Sequence, residues 1–84
     1  MIIGFKESAF EQYREWAKKD KKTFKKLESL ITEIMRDPFH GIGKPESLRE
    51  NLSGFWSRRI TDEHRVVYQV LNEQVVIISC KHHY

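Results

Sequence analysis

The second half of the chain carries a set of side chains able to do polar chemistry: Lys44, Glu46, Arg49, Arg58, Arg59, His64, Arg65, Lys81, His82, His83 and Tyr84. The cations suit a phosphate backbone, whose charge they neutralise. Phe55, Trp56 and Tyr84 offer ring faces on which bases stack. Glu46 together with one of the histidines makes a general base and a general acid. The competing reading is a solvated sheet face whose charges alternate with core residues. Residue types alone leave both open.

Other chemistries find less support. No helical segment presents two histidines four apart and no carboxylate cluster has ligand spacing, so neither a metal site nor a cofactor is expected. "GIGKP" lacks the spacer and the following Ser or Thr of a phosphate loop. Cys80 is the single cysteine, which rules out an intramolecular disulfide and a zinc-type cysteine pair. Inside the run "VVIISC" it reads as a small buried hydrophobe. Ser53 and Ser57 have no triad context, and His40 reads as a surface residue of a loop.

These residues must be positioned by one domain, 1–84. A chain of 84 residues buries about 60% of the surface it exposes when unfolded, so its core is small. Apolar residues make up 39% and charged residues 32%, enough for a core and a solvated surface. The net charge of +3 favours phosphate-rich or acidic partners. No charged-then-apolar leader opens the chain and no apolar run approaches ~18 residues, so a cytoplasmic protein without a membrane anchor is expected.

"MIIGF" reads as a short strand. Ala9, Phe10, Tyr13, Trp16 and Ala17 then recur at helical spacing and predict an amphipathic helix. Asp20, inside "KKDKK", is a cap for a second helix, which carries Phe24, Leu27, Leu30, Ile31, Ile34 and Met35. That helix should end near Arg36, because Asp37 precedes a proline. "DPFHGIGKPE" is a loop. "SLREN" and "FWSRRI" are short extended candidates, while "HRVVYQV" and "VVIISCKHHY" are stronger strands. The order predicts an α+β fold: a short N-terminal strand and a two-helix hairpin packed on one face of a small antiparallel sheet. The other face is left for solvent, a partner or a site.

The last hairpin allows two registers. A two-residue loop at Asn72-Glu73 sets Arg65 opposite Cys80. A three-residue loop through Gln74 sets it opposite Lys81, on the side of His83. The second also groups Val66, Tyr68 and Val70 with Val76, Ile78 and Cys80 as a core face, and is preferred for that reason. His64 is expected to cap the hairpin strand. His82 alternates away from His83 and is expected at the surface.

The stretch "NLSGFWSRRIT", the following "EHR" and the terminal "HHY" resemble the YoeB toxins of the RelE superfamily, from bacterial toxin–antitoxin pairs. The resemblance spans the whole chain. It implies a RelE-like, microbial-RNase-like fold and a metal-independent endoribonuclease that cuts messenger RNA in the ribosomal A site and so inhibits translation. It implies a YefM-type antitoxin as partner. It places Glu46, Arg65, His83 and Tyr84 in the active site, with Glu46 as base, His83 as acid and Arg65 as stabiliser of the phosphorane. Lys44, Arg49, Arg58 and Arg59 would hold RNA; Arg49 stands where a lysine is common. The terminal carboxylate next to His83 is expected to favour the imidazolium. A homodimer is expected, because exposed Phe55 and Trp56 would otherwise form an apolar patch. Superfamily members that bind without cleaving, such as gyrase inhibitors, or a degenerate toxin, remain the alternatives.

Overall fold

The computed structural model describes residues 1–48 and 54–82. The elements are β1 (Ile2–Phe5), α1 (Glu7–Lys19), α2 (Lys21–Arg36), β2 (Glu46–Ser47), β3 (Phe55–Arg59), β4 (Arg65–Leu71) and β5 (Gln74–Ser79). Both helices stand where their apolar period put them. Asp20 divides them. Its Oδ1 accepts the Thr23 backbone N–H at 3.0 Å and its Oδ2 the Thr23 hydroxyl at 2.8 Å. This N-cap satisfies an amide that the first turn leaves without a partner. The Thr23 backbone bond, then the hydroxyl bond, hold the Asp20 carboxyl below its ordinary range. α2 buries Leu27, Leu30, Ile31 and Ile34 and stops at Arg36, ahead of the Asp37-Pro38 step.

The helices cover one face of a five-stranded sheet of order β1-β5-β4-β3-β2. Strands β2 to β5 pair antiparallel in succession. These are the antiparallel strands expected, and the short N-terminal strand β1 joins them parallel to β5, so the sheet is mixed. Nearly the whole chain separates β1 from β5, and a parallel pair requires just such a long connection. Of the segment "SLREN" expected to be extended, Ser47 pairs in β2, which begins at Glu46; residues 49–51 lie outside the described residues. The core holds Ala9, Leu27, Leu30, Ile34, Val66, Tyr68, Val75, Ile77 and Cys80.

The preferred register fails at the turn and is regained beyond it. Leu71 pairs with Gln74 and Val70 with Val75, so the loop is Asn72-Glu73. Two-residue loops match the twist of the strands, and Glu73 takes the positive φ of +58° that such turns use. Val75 and Ile77, not Val76 and Ile78, therefore face the helices. Then Tyr68 pairs with Ile77 while Val67 pairs with Ser79. Ile78 is the extra residue of a β-bulge, and one inserted residue reverses the alternation. Cys80 thereby returns to the core, fully buried. Past the bulge, the Arg65 N–H donates to the His82 carbonyl at 3.0 Å.

Burial pushes the Cys80 thiol up to about 12. The expected result is that iodoacetamide at pH 8 leaves the native protein unmodified and alkylates it once denatured. Rapid alkylation of the folded protein, followed by mass spectrometry, would show that Cys80 is not where the bulge puts it.

Candidate active site

The site starts from strand alternation. Glu46 pairs with Ser57, Ser57 with Val67, and Arg59 with Arg65. These side chains share the face turned away from the helices. There the Arg65 guanidinium donates from Nη1 to Ser57 Oγ at 3.1 Å, and the same nitrogen lies 3.4 Å from Glu46 Oε1. The Arg65 side chain is 18% exposed and that of Glu46 63%. A fixed, half-buried cation thus sits beside an open carboxylate. Such an exposed pair is worth only about 0–1 kcal/mol, so its value lies in placement rather than stability. Arg59 stands exposed next to Arg65, and Lys44 is exposed two residues before Glu46.

Arg58 does not join them. It points the other way, beneath the loop that follows α2, and is fully buried. Its Nε donates to the Tyr68 hydroxyl at 3.0 Å and its Nη1 to the Ile42 carbonyl at 3.1 Å. Its Nη2 donates to the carbonyls of Asp37, at 2.6 Å, and His40, at 3.1 Å. The Tyr68 hydroxyl donates onward to the Pro38 carbonyl at 2.7 Å. The expectation that Arg58 holds RNA is corrected: its donors are spent inside the protein. What it holds is the loop 37–43. Gly43 closes that loop at a φ of +84°, where a Cβ would lie 2.6 Å from Leu30 Cδ2. The Gly43 carbonyl accepts the Arg59 N–H at 2.7 Å. Lys44 and Glu46 follow directly from this anchored point.

The strand-end segment 80–82 is held as firmly. Gln12 Oε1 accepts the Cys80 N–H at 2.8 Å, and Trp16 Nε1 donates to the Cys80 carbonyl at 2.8 Å. Lys81 Nζ lies 3.5 Å from Glu15 Oε1. His82 is exposed, as expected, and has a positive φ of +64°. His83, Tyr84 and Arg49 lie outside the described residues. The His64 carbonyl accepts the N–H groups of Ile60 at 2.9 Å and Thr61 at 3.1 Å, closing the turn between β3 and β4.

Residues 5–84 match the family described as YoeB-like toxin of bacterial type II toxin-antitoxin system. The chain belongs to this family. It is 49% identical to the toxin YoeB of Streptomyces coelicolor over 84 residues, which is 100% of both chains. The fold is similar to that of the YoeB dimer from Staphylococcus aureus, with a TM-score of 0.91 at 47% identity, covering 100% of this chain and 98% of the other. It is also similar to the S. aureus toxin in a heterotetrameric YoeB–YefM toxin–antitoxin complex, with a TM-score of 0.88 at 47% identity and the same coverage.

Of the side chains that the YoeB resemblance singles out, the described structure brings together Glu46, Arg65 and Arg59, with Lys44 nearby. Ser57 was missed. It reads as an isolated serine until alternation along "FWSRR" puts it on the face of Arg59, which is the one signal that would have found it. Phe55 and Trp56 do not form an exposed pair either. Both are half-buried, and Trp56 packs on the core with Phe39 against it at 5.1 Å between ring centroids. Phe39 itself is exposed, as is Ile42 in the same loop. Among the described residues, no helix is long and apolar enough to cross a membrane.

Proposed function

We propose that this YoeB-family chain is a metal-independent endoribonuclease that cuts messenger RNA in the ribosomal A site and so stops translation. The observation that carries this reading is the open Glu46 carboxylate set 3.4 Å from the held Arg65 guanidinium. Glu46 takes the proton of a ribose 2′-hydroxyl, and the freed oxygen attacks the adjacent phosphorus. Arg65 offsets the charge that builds on the phosphorane oxygens. His83 protonates the departing 5′-oxygen. The products are a 2′,3′-cyclic phosphate and a 5′-hydroxyl. Lys44, Arg49 and Arg59 hold the RNA backbone, and Tyr84 stacks on or orients the target nucleotide.

So few groups align a flexible RNA poorly by themselves. A host that presents the message in one geometry supplies the missing orientation, which supports a requirement for the ribosome. The partner is an antitoxin of the YefM type, as in the S. aureus complex, with an acidic, flexible segment that folds over the basic face. A homodimer like that of the S. aureus toxin gives exposed Phe39 and Ile42 a natural cover.

The test is cleavage of a defined messenger, free and loaded on ribosomes with an empty A site, by wild type and His83→Gln. Cleavage on the ribosome that is lost in the variant supports the reading. No cleavage by wild type in either setting overturns it and leaves a binding protein.

A further inference from the structure

The ring of His64 has no part in the acid–base scheme, yet it is held on several sides. Its loop is stitched locally: Thr61 Oγ1 accepts the N–H groups of Glu63 at 3.2 Å and His64 at 3.1 Å. The ring packs edge-on against Trp16 with 4.8 Å between centroids, and the side chain is 13% exposed. Its Nδ1 lies 2.7 Å from the backbone nitrogen of His82. A backbone amide can only donate, so Nδ1 must carry no proton. The ring is then the neutral tautomer with its proton on Nε2, which faces Glu63 Oε1 at 3.8 Å.

His82 is gripped from both sides. Its N–H goes to the His64 ring and its carbonyl to the N–H of Arg65, the next residue in the chain. Between these bonds its φ is +64°, a left-handed turn that a histidine adopts at some cost and that needs support from its surroundings. Trp16, which backs the His64 ring, also donates to the Cys80 carbonyl. One small unit of Trp16, His64 and Arg65 therefore sets the path of the chain at the last residue before His83. The same Arg65 carries the guanidinium beside Glu46.

We infer that His64 is a positioning residue: its ring accepts the His82 N–H and fixes the backbone of His82, and the rate of the step assigned to the neighbouring His83 depends on that anchor. The inference rests on the nuclease reading for its catalytic consequence, but not for the anchor. A misplacement of about 1 Å in such a group costs about 10²-fold in rate. His64→Phe keeps a ring against Trp16 and removes the acceptor. His64→Asn loses the ring but offers an oxygen near the place of Nδ1.

The experiment pairs single-turnover cleavage on ribosomes with imidazole and amide ¹⁵N NMR of the free protein, after thermal melts confirm folding. In wild type, His64 should show an unprotonated Nδ1 and the His82 amide should be protected from exchange. His64→Phe should lose that protection and fall about 10²-fold in kcat with an unchanged KM. His64→Asn should recover part of the rate. A folded His64→Phe that cleaves like wild type overturns the inference, as does a wild-type His64 with its proton on Nδ1. If wild type cleaves nothing but shows the neutral tautomer and the protected amide, the anchor stands and the nuclease reading falls.

Discussion

Replacing Glu46 with glutamine should lower the cleavage rate on ribosomes by about 10²–10⁴-fold, the usual contribution of a general base, with almost no change in melting temperature. The two halves of this result have separate causes. Glutamine keeps the shape and the oxygen of the side chain but cannot take a proton. Stability is spared because Glu46 is mostly exposed and its contact with Arg65 is a surface pair at 3.4 Å, worth about 0–1 kcal/mol. Arg65 also retains its bond to Ser57 Oγ, so the cation stays in place without its carboxylate. Binding of RNA should persist or strengthen slightly, since a negative charge has left a phosphate site. A Glu46→Gln protein that cleaves within about threefold of wild type would move the base to another residue.

Arg58→Met should do the reverse and act first on the fold. The guanidinium is fully buried, and it serves the Tyr68 hydroxyl and the carbonyls of Ile42, Asp37 and His40. Methionine fills much of the space and makes none of these bonds. Buried acceptors left unpaired cost about 1–3 kcal/mol each where water cannot reach them. Partial rescue by water brings the expected total to about 3 kcal/mol, or roughly 12–24 °C in melting temperature for a domain of this size. Activity should fall as well, because the loop that Arg58 holds leads into Lys44 and Glu46. Arg59→Gln provides the contrast. Its side chain is exposed, so melting should be unchanged, while the salt dependence of RNA binding should flatten by about 0.7–0.9 in log–log slope for one lost phosphate contact. An Arg58→Met protein that melts like wild type and shows the flattened slope would restore Arg58 to the RNA face.

This pair of neighbouring arginines shows where the sequence could be read and where it could not. Alternation says that Arg58 and Arg59 point to opposite faces. It does not say which face the helices cover, because that depends on register with β4. Nor can it reveal that a buried arginine is tolerated, since the oxygens that receive it are mostly main-chain carbonyls 16 to 21 residues earlier. Main-chain acceptors leave no mark in residue types. The helices were legible because their period, the Asp20 cap and the Asp37-Pro38 stop are local signals. The final hairpin was legible as two strands but not in register. A favoured turn and a bulge at Ile78 act in opposite senses, and their sum is decided by packing of Val75, Ile77 and Cys80 on the helices. Arg65 near Glu46 and Ser57 follows from the pairing of three strands, which a single sequence does not display.

The parallel contact of β1 with β5 bears on when the molecule can become active. In synthesis β1 emerges well before its partner. Ile2–Phe5 must wait, unpaired on that side, until Gln74–Ser79 have left the ribosome that makes them. Closure of the sheet is therefore a late, long-range event, the slow kind in folding terms. The segment that carries Cys80 to His82 into place belongs to the same late step. A nascent chain lacks the closed sheet, and a prematurely terminated one, lacking β5, gains neither that closure nor the anchored segment from Cys80 to His82.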